Sequence, residues 1–431
     1  MRNKVITLII LISCIGVIKA QDSTRLVLSL EQAERYAIEH NRTLQNANYE
    51  VQKAQRSRWQ ALASMLPQVN ANFDYQNFCG YSMNFMQGVS IPMNPSGTLG
   101  VTASMALSGA QIVNTLMSDI SIDMQDISQK QSEQNIIANV DKLYFSTLAM
   151  EKTVDLLTES LNNLKRLQEM TDGAVKAGVT EQTESDKISV QVAMMQSSIN
   201  STNRSIEMLY NSLRLQLCTD VNCEIILTDN LDKLLSLGEI QDLLSKDFIL
   251  ENNYSYQLLE KNLELSKKQI TLSKMNCLPT ISAYYQYSAK TYFGKEEGMN
   301  MTPPNMVGAS LSVPLWSSLA KKSAVEQSKL NYKTTENTFN DTKNSLLVQD
   351  HQLRYNVTSA YETYLIQQDN VDVTKRVFDN ISKKFEYGRA SSLEVTNAST
   401  DIINAQNNYL KALLELVQAH IELRTLLNIS K

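Results

Sequence analysis

The sequence predicts a mainly α-helical fold with a small β part: long antiparallel coiled-coil helices and four β-strands per chain, arranged as an internal two-fold repeat. Three observations support this fold class. Proline and glycine are scarce, with 7 and 13 residues, and they leave long stretches free of both. Four short segments alternate apolar and polar residues, as half-buried strands do. The second half of the chain also repeats the plan of the first.

The first twenty residues have the pattern of a secretory signal peptide. Arg2 and Lys4 supply the positive charge, residues 5–12 form a short apolar core, and Ala20 precedes the expected cut. A lipoprotein-type cut that would place a lipid on Cys14 is the alternative. The predicted division of the chain is a signal peptide over 1–20, a first repeat over 21–217, an inter-repeat linker over 218–244 and a second repeat over 245–431.

The composition excludes several function classes. A net charge of −5 gives no basic surface for nucleic acid, so we expect no nucleic-acid partner. The chain has no phosphate-binding glycine loop and no nucleophile elbow, which argues against an enzyme. Its three histidines lie far from every cysteine, so we expect no metal and no cofactor. Cys218 and Cys223 are close enough to bridge a short loop, but two free thiols are equally consistent with the sequence LCTDVNC.

Long helices follow from the distribution of helix breakers. Residues 110–172, 179–237, 315–387 and 389–431 contain neither glycine nor proline. The first of these stretches would reach roughly 90 Å as a helix, which implies a coiled coil, a bundle or a tube. The last stretch carries an apolar seam with a period of 3.5 residues, as a coiled coil requires: Ile402, Ala405, Tyr409, Ala412, Leu416, Ala419, Leu423 and Leu426.

The repeat relates positions about 210 residues apart. Leu66-Pro67 recurs as Leu278-Pro279, each time directly before an alternating segment. The turn around Gly178 recurs around Gly388, where a helical hairpin must reverse. Each half therefore reads helix, strand, long loop, strand, very long helix, turn, helix, with the loops at 79–98 and about 291–305.

The strands have the length and alternation of outer-membrane strands, so we expect their apolar face to contact lipid. The alternative is a four-stranded sheet packed on the chain's own helices. Four strands cannot close a membrane barrel, and open edges cannot lie in lipid, so several copies must combine their strands. Two copies give eight strands, and three give twelve with room for an aqueous lumen. The predicted lipid-facing residues are Val69, Phe73, Tyr75, Ile281, Tyr285 and Tyr287.

Taken together, these features resemble the TolC-like outer-membrane efflux proteins. The resemblance rests on the duplicated plan, the two Leu-Pro pairs, SVPLW at 312–316 and EYGRASSLEV at 386–395. It implies a homotrimer with a shared 12-stranded barrel in the outer membrane of a Gram-negative bacterium, continued by a helical barrel (α-barrel) in the periplasm. It also implies a passive exit duct of a tripartite efflux or type I secretion system, with a periplasmic adaptor and an inner-membrane pump as partners.

The resemblance assigns function to the helical tips, which would open the duct and dock the adaptor. The docking residues would be Gly178, Val179, Thr180, Gly388, Arg389 and Ala390. The constriction would be lined by Glu394, Asn397, Glu184 and Arg389, with Arg389 pairing with Glu184 across neighbouring hairpins. Asn397 departs from the family pattern, which has a second acid there, and this weakens the case for a double acidic ring. The alternative for these charges is an ordinary solvated helix face.

A second hypothesis comes from a different class. The chain would be an exported structural coiled-coil protein, lipid-anchored at Cys14, whose strands pack on its own helices. The sequence does not distinguish drug, metal, peptide and protein cargo.

Overall fold

The computed structural model describes residues 25–85, 89–231, 237–293 and 303–429. The predicted signal peptide, including Cys14, lies outside the described residues, as does part of the second long loop. Within the described residues the longest helices are Gly109–Lys176 and Ala320–Glu386, with 68 and 67 residues, followed by Gln182–Leu217 and Ser392–Leu427, with 36 each. In chain order the helices are α1 (Leu30–His40), α2 (Arg42–Ala63), α3 (Gly109–Lys176), α4 (Gln182–Leu217), α5 (Leu237–Ser245), α6 (Tyr254–Met275), α7 (Ala320–Glu386) and α8 (Ser392–Leu427).

The strands include the four that the sequence predicts and four shorter ones that it did not. They are β1 (Arg25–Leu28), β2 (Gln68–Gln76), β3 (Ser82–Phe85), β4 (Val89–Pro92), β5 (Ser96–Leu107), β6 (Glu224–Leu227), β7 (Thr280–Tyr292) and β8 (Asn305–Ser312). The predicted fold class, mainly helical with four principal strands and a two-fold repeat, is confirmed. No described helix combines the length and apolar character needed to cross a bilayer.

The chain forms two compact units, and each draws on both repeats. The described residues of the first unit are those up to Asn41 and those within Ile136–Leu244 and Asn356–Glu422. The second comprises Arg42–Asn135, Ser245–Tyr355 and Leu423–Lys431.

The second unit contains an antiparallel four-stranded sheet of order β2-β5-β7-β8. The predicted first loop is shorter than expected, because β5 begins at Ser96 and its first residues pair with the end of β7. Strands β3 and β4 form a separate hairpin inside that loop. One cross-strand row runs through all four strands of the sheet: Val69, Ala103, Tyr285 and Val307.

The apolar face of this sheet is exposed. Val69 and Phe73 each keep 68% of their surface, and Ile281 keeps 58%. The alternative of a sheet packed on the chain's own helices requires these side chains to be covered, and in the structure they are not. A contiguous exposed apolar face of this kind marks a surface that contacts lipid or another protein.

The opposite face of the sheet contains a close contact between an aromatic ring and a glycine. Tyr284 pairs directly with Gly308 across β7 and β8. A Cβ atom added to Gly308 would lie 2.5 Å from two ring carbons of Tyr284 and 2.7 Å from its hydroxyl oxygen. The glycine therefore provides the space in which the tyrosine ring lies against the strand.

We expect Gly308→Ala to destabilise the sheet by about 1–3 kcal/mol, because the Tyr284 ring must leave its position. The measurement is thermal unfolding of the purified protein in detergent, and the Tyr284→Ala background should remove most of the effect. The matched control is Gly173→Ala in α3, where an added Cβ meets nothing within 4 Å. An equal loss of stability in both backgrounds would show that the ring contact is not the cause.

The first unit joins the beginning of the chain to the inter-repeat segment. Strands β1 and β6 pair in parallel, from Arg25 with Glu224 to Leu28 with Leu227. The fully buried Tyr144 of α3 holds this pair in place, since its hydroxyl lies 3.0 Å from both the Leu28 carbonyl oxygen and the Asp229 carboxylate. Burial, reinforced by Asp229, raises the pKa of Tyr144 to about 12, so the hydroxyl remains a donor at ordinary pH.

The core of the first unit is formed by all four long helices. Phe378 of α7 is 1% exposed and packs within a cluster drawn from α3, α4 and α8. Every residue of the apolar seam predicted in α8 is buried. The cluster comprises Leu157, Leu161, Leu164, Leu167, Met195, Ile199, Phe378, Val395, Ala398 and Ile402.

Candidate functional site

Both helical hairpins turn at a glycine with a left-handed backbone. Gly178 has φ +71° and Gly388 has φ +65°. After α3, the N–H of Gly178 donates to Val175 and the N–H of Val179 donates to Ala174. Gly388 and Arg389 repeat this pattern on Phe385 and Lys384 after α7. These are Schellman motifs, which satisfy the free carbonyl groups at a helix end and favour glycine at the turning position.

Glu394 stabilises the start of its own helix. Its carboxylate accepts a hydrogen bond from the Ser391 N–H at 2.7 Å, and the Ser391 hydroxyl accepts one from the Glu394 N–H at 3.3 Å. This reciprocal pair is a capping box. The N–H of Ser391, followed by its hydroxyl, lowers the pKa of Glu394. Glu394 is exposed, so its carboxylate lies on the surface of the tip and also caps α8.

Glu184, the equivalent residue in the first repeat, makes a different contact. Its carboxylate accepts a hydrogen bond from the Ser392 N–H of α8 at 3.2 Å and forms an ion pair with Lys187 at 2.9 Å. The Ser392 contact, followed by Lys187, lowers the pKa of Glu184. An acid of the first hairpin thereby caps the first turn of α8 in the second hairpin, where the helix dipole favours negative charge.

Polar contacts between α3 and α7 also connect the two hairpins. Lys375 lies 2.7 Å from the Glu159 carboxylate, and Arg166 lies 2.6 Å from Glu386. Between these ion pairs, Asn163 donates to Asp379 at 3.4 Å. These contacts join α3 of the first hairpin to α7 of the second.

The remaining predicted tip residues lie in or close to the two turns, and their roles in docking and constriction stay predictions. Val179, Arg389 and Asn397 are exposed, while Thr180 and Ala390 are partly covered. Within the described chain the Arg389 side chain has no carboxylate partner, and Glu184 is bound by Lys187 and Ser392 instead. Sequence reasoning missed the contact between Glu184 and Ser392, because these residues are 208 positions apart.

The predicted lipid-facing residues share one face of the four-stranded sheet. Val69, Phe73 and Tyr75 alternate along β2, and Ile281, Tyr285 and Tyr287 alternate along β7; all six are exposed. Phe73 pairs with Leu99 of β5, and Ile281 pairs with Leu311 of β8. Large apolar residues from all four strands therefore form a single surface.

The described residues contain no group of three histidine, cysteine, aspartate or glutamate side chains that would hold a metal ion. The four described cysteines, Cys79, Cys218, Cys223 and Cys277, form no disulfide bond with one another. The helical tips thus present charged and hydrogen-bonding groups beside the hairpin turns. The sheet presents an apolar surface.

An exposed apolar face on the sheet, together with paired helical hairpins, is the combination expected of a membrane-associated protein of mixed helical and strand structure. A family model described as outer membrane efflux protein matches residues 35–217 and 247–428. The chain belongs to the outer membrane efflux protein family, and it is an outer-membrane protein. The resemblance to TolC-like proteins is thereby confirmed.

Several solved structures share this fold. CusC is 15% identical, with a TM-score of 0.75 over 92% of this chain and 91% of its own. The outer-membrane channel CmeC of Campylobacter jejuni is 13% identical, with a TM-score of 0.75 over 92% and 85%. The outer-membrane protein VceC of Vibrio cholerae is 14% identical, with a TM-score of 0.73 over 92% and 95%. Among curated proteins, none matches the sequence significantly.

Proposed function

We propose that three copies of this chain form an exit duct of a tripartite efflux or type I secretion system, which crosses the outer membrane and extends into the periplasm. The observation that carries the proposal is the four-stranded sheet, whose apolar face is exposed and whose edge strands β2 and β8 each have a single neighbour. Open strand edges are not stable in lipid, because their backbone groups would lack hydrogen-bond partners. Joining the edges of three copies closes twelve strands around an aqueous lumen.

The polar face of the sheet suits a lumen. It carries mostly small polar side chains, among them Thr102, Ser282 and Ser310, beside the larger Tyr284 and the acidic Asp74. The hydroxyls of Ser282 and Ser310 are 2.7 Å apart. The duct would be passive, and we expect it to need no catalytic residue and no cofactor. Energy would come from an inner-membrane pump, joined to the duct through a periplasmic adaptor.

The adaptor would dock at the two Schellman turns. Each turn ends a helix with a glycine and exposes a short segment, Gly178 to Thr180 in one hairpin and Gly388 to Ala390 in the other. Glu394, Asn397, Glu184 and Arg389 lie close to these segments along the chain and would line the constriction. Opening would separate the two hairpins, which requires the contact between Glu184 and Ser392 to break.

The test is the native mass of the protein extracted from outer membranes in mild detergent. We expect a mass of three chains after subtraction of the detergent, and resistance to extraction by carbonate. A monomer, or protein found only in the soluble periplasmic fraction, would overturn the proposal. The control is the same measurement on a β8 edge variant, Leu311→Pro, which removes a backbone donor from the edge strand and should lower the trimer fraction.

A further inference from the structure

A basic patch lies at the helical end of the sheet, where β7 begins and β8 ends. The segments that lead into β7 and out of β8, residues 265–279 and 313–325, contain five lysines and no acidic residue: Lys267, Lys268, Lys274, Lys321 and Lys322. At the opposite end of the sheet, the segments 77–95 and 293–304 contain one lysine and two glutamates between them. Positive charge is therefore concentrated at one end of the sheet.

Contacts between α6 and α7 bring these lysines together. The Lys321 ammonium donates to the Asn276 carbonyl oxygen at 2.7 Å, directly after the last residue of α6. Further along the two helices, the hydroxyls of Ser273 and Ser328 are 2.8 Å apart. The start of α7 thus lies against the end of α6, and the lysines of both helices share one region of the second unit.

Neither helix stability nor ion pairing accounts for the basic patch. Lys321 and Lys322 lie in the first turn of α7, which contains no acidic residue, although the helix dipole disfavours positive charge there. Within the part of the chain that the structure describes, no ion pair joins a lysine of the patch to a carboxylate. Glu326 is the first acidic residue of α7, and its ion pair at 2.8 Å is with Lys329. The patch therefore presents cations that the nearby acid does not bind.

An exposed apolar segment lies beside the basic patch. Leu311 belongs to the apolar face of the sheet, and Val313 and Leu315 continue its alternation beyond β8, with exposed fractions of 63%, 46% and 90%. Trp316 follows and is 83% exposed. The other tryptophan of the chain, Trp59, is 60% exposed and lies nine residues before β2 begins, at the same end of the sheet. Tryptophan is enriched where a membrane meets water.

We propose that the basic patch and Trp316 form a binding surface for anionic phospholipid headgroups, in the leaflet that faces the periplasm. This inference rests on the proposed outer-membrane duct and identifies a lipid that it binds. Leu315 and Trp316 contact the upper part of the acyl chains, and the lysines contact the phosphates. A membrane lipid is the occupant because the apolar face of the sheet continues directly into this segment and the charges are complementary. Basic segments beside a membrane attract anionic lipid in this way.

The first test uses Trp316 as the reporter of lipid contact. Since the chain has two tryptophans, Trp59→Phe leaves Trp316 alone. The protein is reconstituted in phosphatidylcholine vesicles that carry bromine, a quencher of tryptophan fluorescence, at shallow or at deep acyl-chain positions. We expect stronger quenching by the shallow bromines. Absence of quenching by both would place Trp316 in the lumen or against another copy, and would overturn the proposal.

The second test measures headgroup preference in the same vesicles. Brominated phosphatidylglycerol should bind with an affinity about five-fold higher than brominated phosphatidylcholine, the effect of roughly one effective charge contact. The double variant Lys274→Gln with Lys322→Gln should lower this preference to less than about two-fold, with quenching by brominated phosphatidylcholine unchanged.

The matched control is Lys333→Gln with Lys343→Gln. It also removes two exposed lysines, both of α7. They lie 11 and 21 residues beyond Lys322, which places them about 16 and 32 Å further along the helix. The preference for phosphatidylglycerol should persist in this control. An equal loss in the control would show general attraction by the whole protein and would overturn the assigned patch.

The outcomes separate this inference from the proposed function. A native trimer that binds the two lipids equally, or whose preference survives the double variant Lys274→Gln with Lys322→Gln, would overturn the headgroup contact and leave the duct intact. A protein that is monomeric after extraction would overturn the duct, and this inference with it.

Discussion

We expect Glu184→Ala to shift the proposed duct toward its open state. The substitution removes the carboxylate that accepts the Ser392 N–H of α8 at 3.2 Å and pairs with Lys187. A hydrogen bond of this kind contributes about 1 kcal/mol, which corresponds to an open-to-closed ratio about five-fold higher. The measurement is the open probability of single channels in a planar lipid bilayer at neutral pH.

The control for this prediction is Glu181→Ala, which removes the same charge from the same turn. Within the part of the chain that the structure describes, Glu181 makes no side-chain capping bond, and its carboxylate accepts a hydrogen bond from the Thr183 hydroxyl at 3.3 Å. Its removal should leave the open probability near that of the unsubstituted protein. Equal effects of the two substitutions would show that the charge, and not the contact with α8, matters.

The same contact predicts a dependence on pH. The folded structure lowers the pKa of Glu184 below its ordinary value of 4.5, so its stabilising effect is fully present above that value. The effect is lost as the pH falls through the lowered pKa. Acidification below about pH 4.5 should therefore increase channel opening, and Glu184→Gln should reduce this increase. The pKa of Glu394 is also lowered, by the N–H and hydroxyl of Ser391, so Glu394→Gln is measured alongside.

We expect Phe378→Ala to cause a large loss of stability in the first unit. Phe378 is 1% exposed and contacts the cluster formed by all four long helices of that unit. Truncating a buried phenylalanine costs about 3–5 kcal/mol, because the transfer energy is lost and a cavity remains. Thermal unfolding of the detergent-solubilised protein, followed by circular dichroism, measures the effect.

Two further variants make this result interpretable. Phe378→Leu retains most of the apolar volume and should fall between Phe378→Ala and the unsubstituted protein. Leu393→Ala truncates a side chain that is 58% exposed near the same tip, and should change stability by less than about 0.5 kcal/mol. If Phe378→Ala unfolds at the temperature of Leu393→Ala, the cluster is not the main source of stability in this unit.

The sequence by itself determined the features that depend on neighbours along the chain. The absence of proline and the near absence of glycine allow α3 and α7 to extend without interruption, and the seam from Ile402 to Leu426 specifies which face of α8 is buried. Alternation along β2 and β7 specifies the apolar face of the sheet, because side chains of a strand point to alternate sides. Glycine is expected at both hairpin turns, because a helix end of this type requires a left-handed backbone and glycine adopts it most easily.

The tertiary structure alone decided which distant groups meet. Strands β1 and β6 are four residues each and have no partner nearby in sequence, so nothing local indicates their pairing. The contacts of the Tyr144 hydroxyl with Leu28 and Asp229 likewise join three separate segments of the chain. Glu184 and Glu394 occupy equivalent repeat positions with the same residue type, yet one caps the other hairpin's helix and one caps its own. The sequence shows which side chains can form hydrogen bonds. Which partner each side chain reaches depends on how the helices pack.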